Sequence, residues 1–185
     1  MTPFHEVRLD TPRLHLRPLV ADDAEALLRL FGDAGVARYL SRPAWTSIEQ
    51  AQASIARDLD GLPKGEFLRL GVLLQGQGRV IATVSLFDFV PQCRRAEMGY
   101  ALAADCQRQG FMHEALSALV DFAFTTLDLN RIEADIDPRN TASARSLERL
   151  GFEREGLLRE RWIVAGEVSD TAFYGLIRRD WAARA

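Results

Sequence analysis

Residues 96–116 read AEMGYALAADCQRQGFMHEAL, and within this stretch the hydrophobic periodicity changes. As far as Leu102, apolar residues alternate with others, and Glu97 falls on the opposite face from its apolar neighbours, which predicts a strand. From Phe111 to about residue 127 the apolar residues recur at helical spacing. A further strand is predicted over 132–136, so the stretch indicates a parallel strand–helix–strand crossover of the usual right-handed kind.

The flanking sequence predicts more strands and helices around this unit. Asp22 is a candidate cap for one helix, and Thr46 and Glu49 match a capping box ahead of a second. Asn140 and Gly151 have the residue types that begin and end a short helix. The fold class is therefore α/β (α+β), a mixed, mostly antiparallel central sheet flanked by about four helices, in one domain over 1–185. The other predicted strands cover 13–18, 67–74, 80–89, 152–163 and 171–177.

Composition excludes several classes of function. The 185 residues are 48% hydrophobic and 26% charged, with a net charge of −3, which argues for a globular protein and against a dedicated nucleic-acid binder. The three histidines and two cysteines have no metal-ligand spacing, so we expect no metal. No apolar run reaches the ~20 residues of a membrane span, and no signal peptide is evident. These observations predict a cytoplasmic protein without membrane partners.

The turn between the predicted strand and helix is a candidate anion site. Unpaired N–H groups and the helix dipole favour negative charge at a helix start, and Gly110 allows a close approach of the backbone. Arg108 could add a charge-assisted contact. An ordinary turn is the alternative interpretation. Neither a Walker A nor a Rossmann glycine pattern occurs at this turn.

Three segments resemble the GNAT N-acetyltransferase superfamily. The run from Glu97 to Leu102, followed by Gln107-x-x-Gly110 and the start of the helix, resembles its main signature. Residues 140–152, NTASARSLERLGF, resemble its second signature. The opening TPRLHLR at 11–17 is similar to the RimJ/RimL branch, whose known members acetylate the N-termini of ribosomal proteins.

The resemblance implies acetyl-CoA as the acyl donor. It assigns the pyrophosphate to the backbone amides of the turn, and the pantetheine to a path beside the preceding strand. Met112 departs from the family pattern, which has a small residue there, but a contact made by backbone N–H groups should survive. The residues implied in cofactor binding are Met98, Gly99, Tyr100, Ala101, Leu102, Gln107, Arg108, Gln109, Gly110, Phe111, Met112, Asn140, Ser143 and Arg145.

Transfer to an amine needs a neutral amine and a proton for the leaving thiolate. Glu97 is the candidate base, directly or through a water; a solvated surface charge is the alternative. By resemblance, Ser143 is the general acid at the CoA sulfur and Asn140 contacts the pantetheine. Arg145 reaches the CoA phosphates in that interpretation, and otherwise lies on a solvated helix face.

The resemblance implies direct transfer in a ternary complex to a primary amine, with a protein or peptide N-terminus as the predicted acceptor. A small-molecule amine (polyamine, amino acid or antibiotic) and a non-catalytic acyl-CoA sensor are the alternatives. Asp170 is open between orienting the amine and capping the last hairpin. The resemblance is also compatible with a homodimer. Four residues fall where the branch shapes its acceptor cleft: Arg38, Tyr39, Trp45 and Trp162.

Overall fold

The predicted strands pair into one sheet. The structure is a computed structural model that describes residues 4–183, so the ends of the predicted domain, 1–3 and 184–185, lie outside the described residues. The strands are β1 (Leu9–Asp10), β2 (Leu14–Pro18), β3 (Leu68–Leu74), β4 (Val80–Val90), β5 (Arg95–Leu102), β6 (Arg131–Ile136), β7 (Glu153–Val164) and β8 (Glu167–Ile177). The helices are α1 (Ala24–Gly32), α2 (Ala34–Ala37), α3 (Ile48–Gly61), α4 (Phe111–Thr125), α5 (Thr141–Leu150) and α6 (Arg178–Ala182).

The sheet order is β1-β2-β3-β4-β5-β6-β8-β7. Within the described residues, β5 and β6 are the one parallel pair, and every other pair of neighbours is antiparallel. Helix α4 connects β5 to β6. The predicted mixed, mostly antiparallel sheet with a parallel crossover is therefore confirmed.

Some short elements and two helix caps differ from the prediction. The short helices α2 and α6 and the strand β1 were not predicted. Asp22 does not cap α1, because a 3-10 turn precedes that helix and the carboxylate of Asp23 accepts from Arg17 and from the Val20 N–H. The α3 cap is shifted by one residue, since Gln50, and not Glu49, accepts from the Ser47 N–H.

Two apolar clusters cover the two faces of the sheet. The larger contains Met98 of β5 together with Leu116 and Leu119 of α4. The smaller contains Ala101 of β5 with Leu27 of α1. Successive strand residues point to opposite faces, so β5 is buried between the two helical layers. This burial fixes the position of the strand on which the motif residues lie.

The two parallel strands separate soon after they meet. They pair only at Arg95 with Arg131, Ala96 with Ile132 and Glu97 with Glu133. Beyond these pairs, β5 continues against β4 and β6 continues against β8. We call the resulting opening, between Met98–Leu102 of β5 and Ala134–Ile136 of β6, the fork. It places a free strand edge inside the sheet.

Among the helices of residues 4–183, none is both long enough and apolar enough to span a bilayer.

Candidate active site

A cleft of about 390 Å³ lies at the fork. Met98, Gly99 and Tyr100 of β5 form part of its wall, and Asp135 and Ile136 of β6 form another part. The start of α5 contributes residues 139, 140 and 143, while the segment 37–44 and the β7–β8 hairpin complete the wall. The sheet thus brings residues from both predicted signatures to one cavity.

Two hydroxyl groups meet in this cleft. The Tyr100 hydroxyl lies 2.6 Å from Ser143 Oγ, and it is also 3.3 Å from the Ser143 carbonyl oxygen. Burial raises the pKa of Tyr100 to about 12, although the hydrogen bond with Ser143 opposes this shift. The Tyr100 hydroxyl is therefore protonated at neutral pH. Ser143 was predicted as a proton donor, but its pairing with Tyr100 was not predicted.

Asn140 fixes the position of Ser143. Its side-chain Oδ1 accepts from the Ser143 N–H at 3.1 Å, which confirms the predicted helix cap. Because that oxygen is occupied, the side-chain NH₂ is the group of Asn140 left for another partner. The cap holds the first turn of α5, and with it the hydroxyl pair, against β5.

Glu97 is the last residue of β5 before the fork. It is half-buried, and the cleft wall begins at the next residue, Met98. Burial raises the pKa of Glu97, and the carboxylates of Asp135, Asp88 and Glu133 raise it further, against a lowering by Arg95. A carboxylate with a raised pKa accepts a proton more readily than a solvated one.

The turn before α4 presents a run of free N–H groups. Within residues 4–183, none of the backbone N–H groups of Arg108 through His113 donates a hydrogen bond, whereas Glu114 N–H donates to the Gly110 carbonyl at 3.1 Å. Gly110 has φ of 81°, which favours glycine, and Arg108 also has a positive φ of 61°. Phe111 is buried, which anchors the turn to the core. The turn therefore presents consecutive backbone donors without partners among the described residues.

The segment between β1 and β2 holds this turn in place. Glu114 of α4 accepts from Thr11 Oγ1 at 2.5 Å and from Arg13 Nε at 2.6 Å. Arg13 in turn donates to the Gln109 carbonyl at 3.0 Å and stacks over Phe111, 4.6 Å from its ring centroid. These contacts explain why residues near the start of the chain belong to the site.

Four more of the residues predicted to bind acetyl-CoA differ in burial and in their contacts. Gln107 Nε2 is 3.4 Å from the Leu102 carbonyl, and Met112 is buried. Arg108 and Arg145 are exposed, and neither forms an ion pair with any residue that the structure describes. Both guanidinium groups are thus available to an anion.

Of the four residues predicted to shape the acceptor cleft, three line it and one does not. Arg38, Tyr39 and Trp162 line the cleft. Trp45 does not: it is 8% exposed and packs on Phe31, with the ring centroids 4.8 Å apart, so its assignment to the cleft was wrong.

Asp170 belongs to the last hairpin. Its Oδ1 accepts from the Glu160 N–H at 2.8 Å, where the pairing of β7 with β8 is irregular. Of the two roles left open for Asp170, this contact supports the structural one.

Sequence reasoning missed one group of cleft side chains. Arg139 bridges Asp137 and Glu167, at 2.6 Å to each, and Asp135 accepts from Trp162 Nε1 at 3.1 Å. The sequence did contain a signal for Asp135: Ile132 and Ala134 alternate along β6 as buried residues, which places Asp135 on the opposite face of the strand. In the described part of the chain, no group of three or more His, Cys, Asp or Glu residues is arranged to hold a metal ion.

Comparison with known proteins identifies the class of protein that this site and fold define. The model of the GNAT acetyltransferase domain matches residues 13–153. An uncharacterized N-acetyltransferase, p20, of Bacillus licheniformis is 34% identical over 94% of this chain and 98% of its own. The chain therefore belongs to the GNAT family of acetyltransferases and is an acyltransferase enzyme.

Two further relatives place it near the RimJ/RimL branch. The [ribosomal protein uS5]-alanine N-acetyltransferase of Escherichia coli is 26% identical over 95% of this chain and 93% of its own. A solved structure from Vibrio cholerae, assigned as a ribosomal-protein-serine acetyltransferase, has a TM-score of 0.83 and 31% identity, covering 96% of this chain and 99% of its own. The resemblance to this branch is thus confirmed at moderate identity.

Proposed function

We propose that the protein is an acetyl-CoA-dependent N-acetyltransferase that acts by direct transfer on a primary amine, an α-amino group at a protein or peptide N-terminus. The observation that carries this proposal is the fork, which joins a free strand edge to the hydroxyl pair of Tyr100 and Ser143. The family resemblance already implies Ser143 as the general acid, and its contact with the Tyr100 hydroxyl supports that role.

The chain offers complementary groups for each part of acetyl-CoA. The free N–H groups of Arg108–His113 suit the pyrophosphate, because a helix start favours negative charge. Arg108 and Arg145 are exposed cations suited to phosphates. The free edge of Met98–Leu102 extends about 13 Å, at about 3.3 Å per residue, and could pair with the amide groups of pantetheine. When bound, acetyl-CoA supplies an acetyl group activated as a thioester.

The hydroxyl pair is suited to protonate the leaving sulfur. In the proposed reaction the amine nitrogen forms a bond to the acetyl carbon, the carbon–sulfur bond breaks, and the thiolate takes one proton. Ser143 Oγ would donate that proton and recover it from the Tyr100 hydroxyl, 2.6 Å away, and Tyr100 would regain its proton from solvent once the products leave. A Tyr100 pKa of about 12 keeps that hydroxyl a donor at neutral pH.

Glu97 is suited to remove the proton that the amine must lose. An α-amino group has a pKa of about 7.7–8.0, so it is partly neutral at pH 7 and a modest base suffices. The raised pKa of Glu97, caused first by burial and then by Asp135, increases its basicity. The cleft wall has no cysteine or histidine, which favours direct attack over a covalent intermediate on such a residue.

A small amine is the second candidate acceptor. A volume of about 390 Å³ lies in the range of small-molecule sites, about 300–1,000 Å³. The N-terminal assignment is preferred because the E. coli uS5-alanine enzyme is 26% identical over 95% of this chain, whereas the spermidine N(1)-acetyltransferase of Vibrio cholerae is 23% identical over 85%.

The test is CoA-thiol release from acetyl-CoA in the presence of short peptides with free N-termini or of polyamines and amino acids. We expect turnover on peptides, with mass spectrometry placing the acetyl group on the α-nitrogen. Turnover on small amines and not on peptides would show that the acceptor is a small amine and not an N-terminus. Binding of acetyl-CoA without turnover on any amine would overturn the enzyme mechanism in favour of a sensor.

Ser143→Ala tests the proton donor. Because general acid catalysis contributes about 10²–10⁴-fold, we expect kcat to fall by about 10²-fold while the acetyl-CoA Kd stays within about threefold. Ser146→Ala is the matched control, since Ser146 lies on the same helix and its hydroxyl donates to the Ala142 carbonyl at 2.9 Å. Wild-type turnover in Ser143→Ala would return Ser143 to a structural role.

A further inference from the structure

Three carboxylates line the cleft, and they differ in how they are neutralised. Asp137 and Glu167 both pair with Arg139, at 2.6 Å each. Asp135 forms no ion pair with any residue between 4 and 183. Its one hydrogen bond is from Trp162 Nε1 to Oδ2 at 3.1 Å, which leaves Oδ1 without a partner. The cleft thus holds one carboxylate whose charge is not matched by a cation among the described residues.

We propose that Asp135 is the specificity-determining residue for the acceptor, and that its carboxylate binds the cationic ammonium form of the amine beside the Trp162 indole. This inference rests on the proposed function and adds the recognition of the acceptor. It also restricts the substrate class to amines without an acidic group next to the reacting nitrogen.

The position of Asp135 supports this role. It lies on β6, across the fork from β5, and lines the same cleft as Tyr100 and Ser143. At pH 7 most of an α-amino group is protonated, since its pKa is about 7.7–8.0. Trp162 fixes one oxygen of Asp135 through its Nε1–H and leaves the other for the amine, while Arg161 lies over the indole ring, 5.8 Å from its centroid.

The surrounding charges reinforce the selection. Glu97 adds negative charge near Asp135, since the Asp135 carboxylate raises the pKa of Glu97 after the effect of burial. Arg38 and Arg42 also line the cleft and form no ion pair among the described residues, but each stacks on an aromatic ring, Arg42 on Phe31 at 4.2 Å and Arg38 on Tyr39 at 5.2 Å. An acidic side chain beside the amine would therefore be repelled from Asp135.

Asp135→Asn tests the inference without a large change of shape. With acetyl-CoA and a peptide that has a neutral second residue, we expect KM for the peptide to rise about tenfold, the loss of one charge-assisted contact of about 1.4 kcal/mol. The acetyl-CoA Kd, measured by calorimetry, should stay within about threefold, and Asp135→Glu should recover part of the affinity. Glu167→Gln is the matched control, because Glu167 lines the same cleft but is already paired with Arg139.

A second measurement varies the acceptor. For wild type, a peptide with glutamate in second position should have a kcat/KM about tenfold below that of its glutamine counterpart, and Asp135→Asn should reduce this ratio. An unchanged peptide KM in Asp135→Asn, with wild type active, would overturn the inference alone. So would an equal rise in Glu167→Gln. A wild type that binds acetyl-CoA but acetylates no amine would overturn the proposed function, and the inference with it.

Discussion

The two helices that reach the site begin in opposite ways. At α5, Asn140 Oδ1 accepts from the Ser143 N–H, and the preceding Asp137 accepts from the Arg139 N–H at 2.8 Å. At α4, the N–H groups of residues 108–113 have no acceptor among the described residues. The start of α5 is completed by its own side chains and positions the hydroxyl of Ser143. The start of α4 is left incomplete, which is costly for folding alone but suits an anion.

The two helix starts also differ in a contact made by a distant part of the chain. Helix α4 is held from outside by the segment between β1 and β2, through Glu114 and its bonds to Thr11 and Arg13. This contact replaces the missing cap without occupying the free amides. At these helix starts, some groups stabilise the helix and others are left free to bind an anion. Three substitutions test whether these two roles are separate.

Glu114→Gln is expected to have the largest effect. Hydrogen bonds to a charged group contribute about 1.5–3 kcal/mol, so we expect the free energy of unfolding at pH 7 to fall by about 2 kcal/mol. Burial acts to raise the pKa of Glu114, but the bonds from Thr11 and Arg13 outweigh it, and the net shift is downward from 4.5. A lowered folded-state pKa stabilises above the unfolded value, and this contribution is lost as the pH falls through the folded value.

Urea unfolding of both proteins between pH 7 and pH 3 is the measurement. The difference between wild type and Glu114→Gln should be full at pH 7 and shrink below about pH 4.5. Glu25→Gln is the control, because Glu25 also lies in a first helical turn but is exposed and 3.7 Å from Arg29. A difference that does not depend on pH would mean that the Glu114 charge is not what anchors α4.

Arg108→Glu should separate binding from stability. A carboxylate beside the open amides competes with an anion, so we expect the acetyl-CoA Kd to rise about tenfold, or about 1.4 kcal/mol. The same carboxylate is favourable at a helix start, by about 0.3–1 kcal/mol, so the ligand-free Tm should stay level or rise. Calorimetry and thermal unfolding measure the two quantities. Arg108→Gln removes the charge only, and an unchanged Kd in both variants would remove Arg108 from the anion site.

Asn140→Ala should have the smallest of the three effects, and on the other helix. Loss of a side-chain cap costs about 1 kcal/mol, so the Tm should fall and kcat should fall with it as Ser143 loses its anchor. Asn140→Asp keeps the accepting oxygen and should preserve the Tm. Equal Tm values for Asn140→Ala and wild type would show that the cap is not what stabilises α5.

Local signals explain what the sequence could predict. Helix α5 begins and ends as expected because Asn140 and Gly151 act on neighbouring backbone groups, and Gly151 has φ of 94°. The crossover was predictable because the change of periodicity between 96 and 116 reflects burial of each element.

Contacts between distant residues explain what could not be predicted. The hydroxyls of Tyr100 and Ser143 are separated by 43 positions, and no local pattern marks their pairing. Trp45 was misplaced because its ring packs on Phe31 and Arg42, which depends on how α1 and the following segment fold together. The start of α1 was misassigned because two adjacent aspartates are equivalent in sequence, while only Asp23 reaches Arg17.

The fork also bears on where this sheet exposes unpaired backbone groups. Beyond Glu97, β5 is an edge strand by its hydrogen bonding, although it lies in the middle of the strand order. Edge strands at the rim of a sheet invite pairing with other chains and aggregation. Here the unpaired edge faces β6 inside the cleft, with helical layers on both faces of the sheet. The unpaired edge thus lies inside the strand order and away from the rim of the sheet, where edge-to-edge pairing between chains occurs.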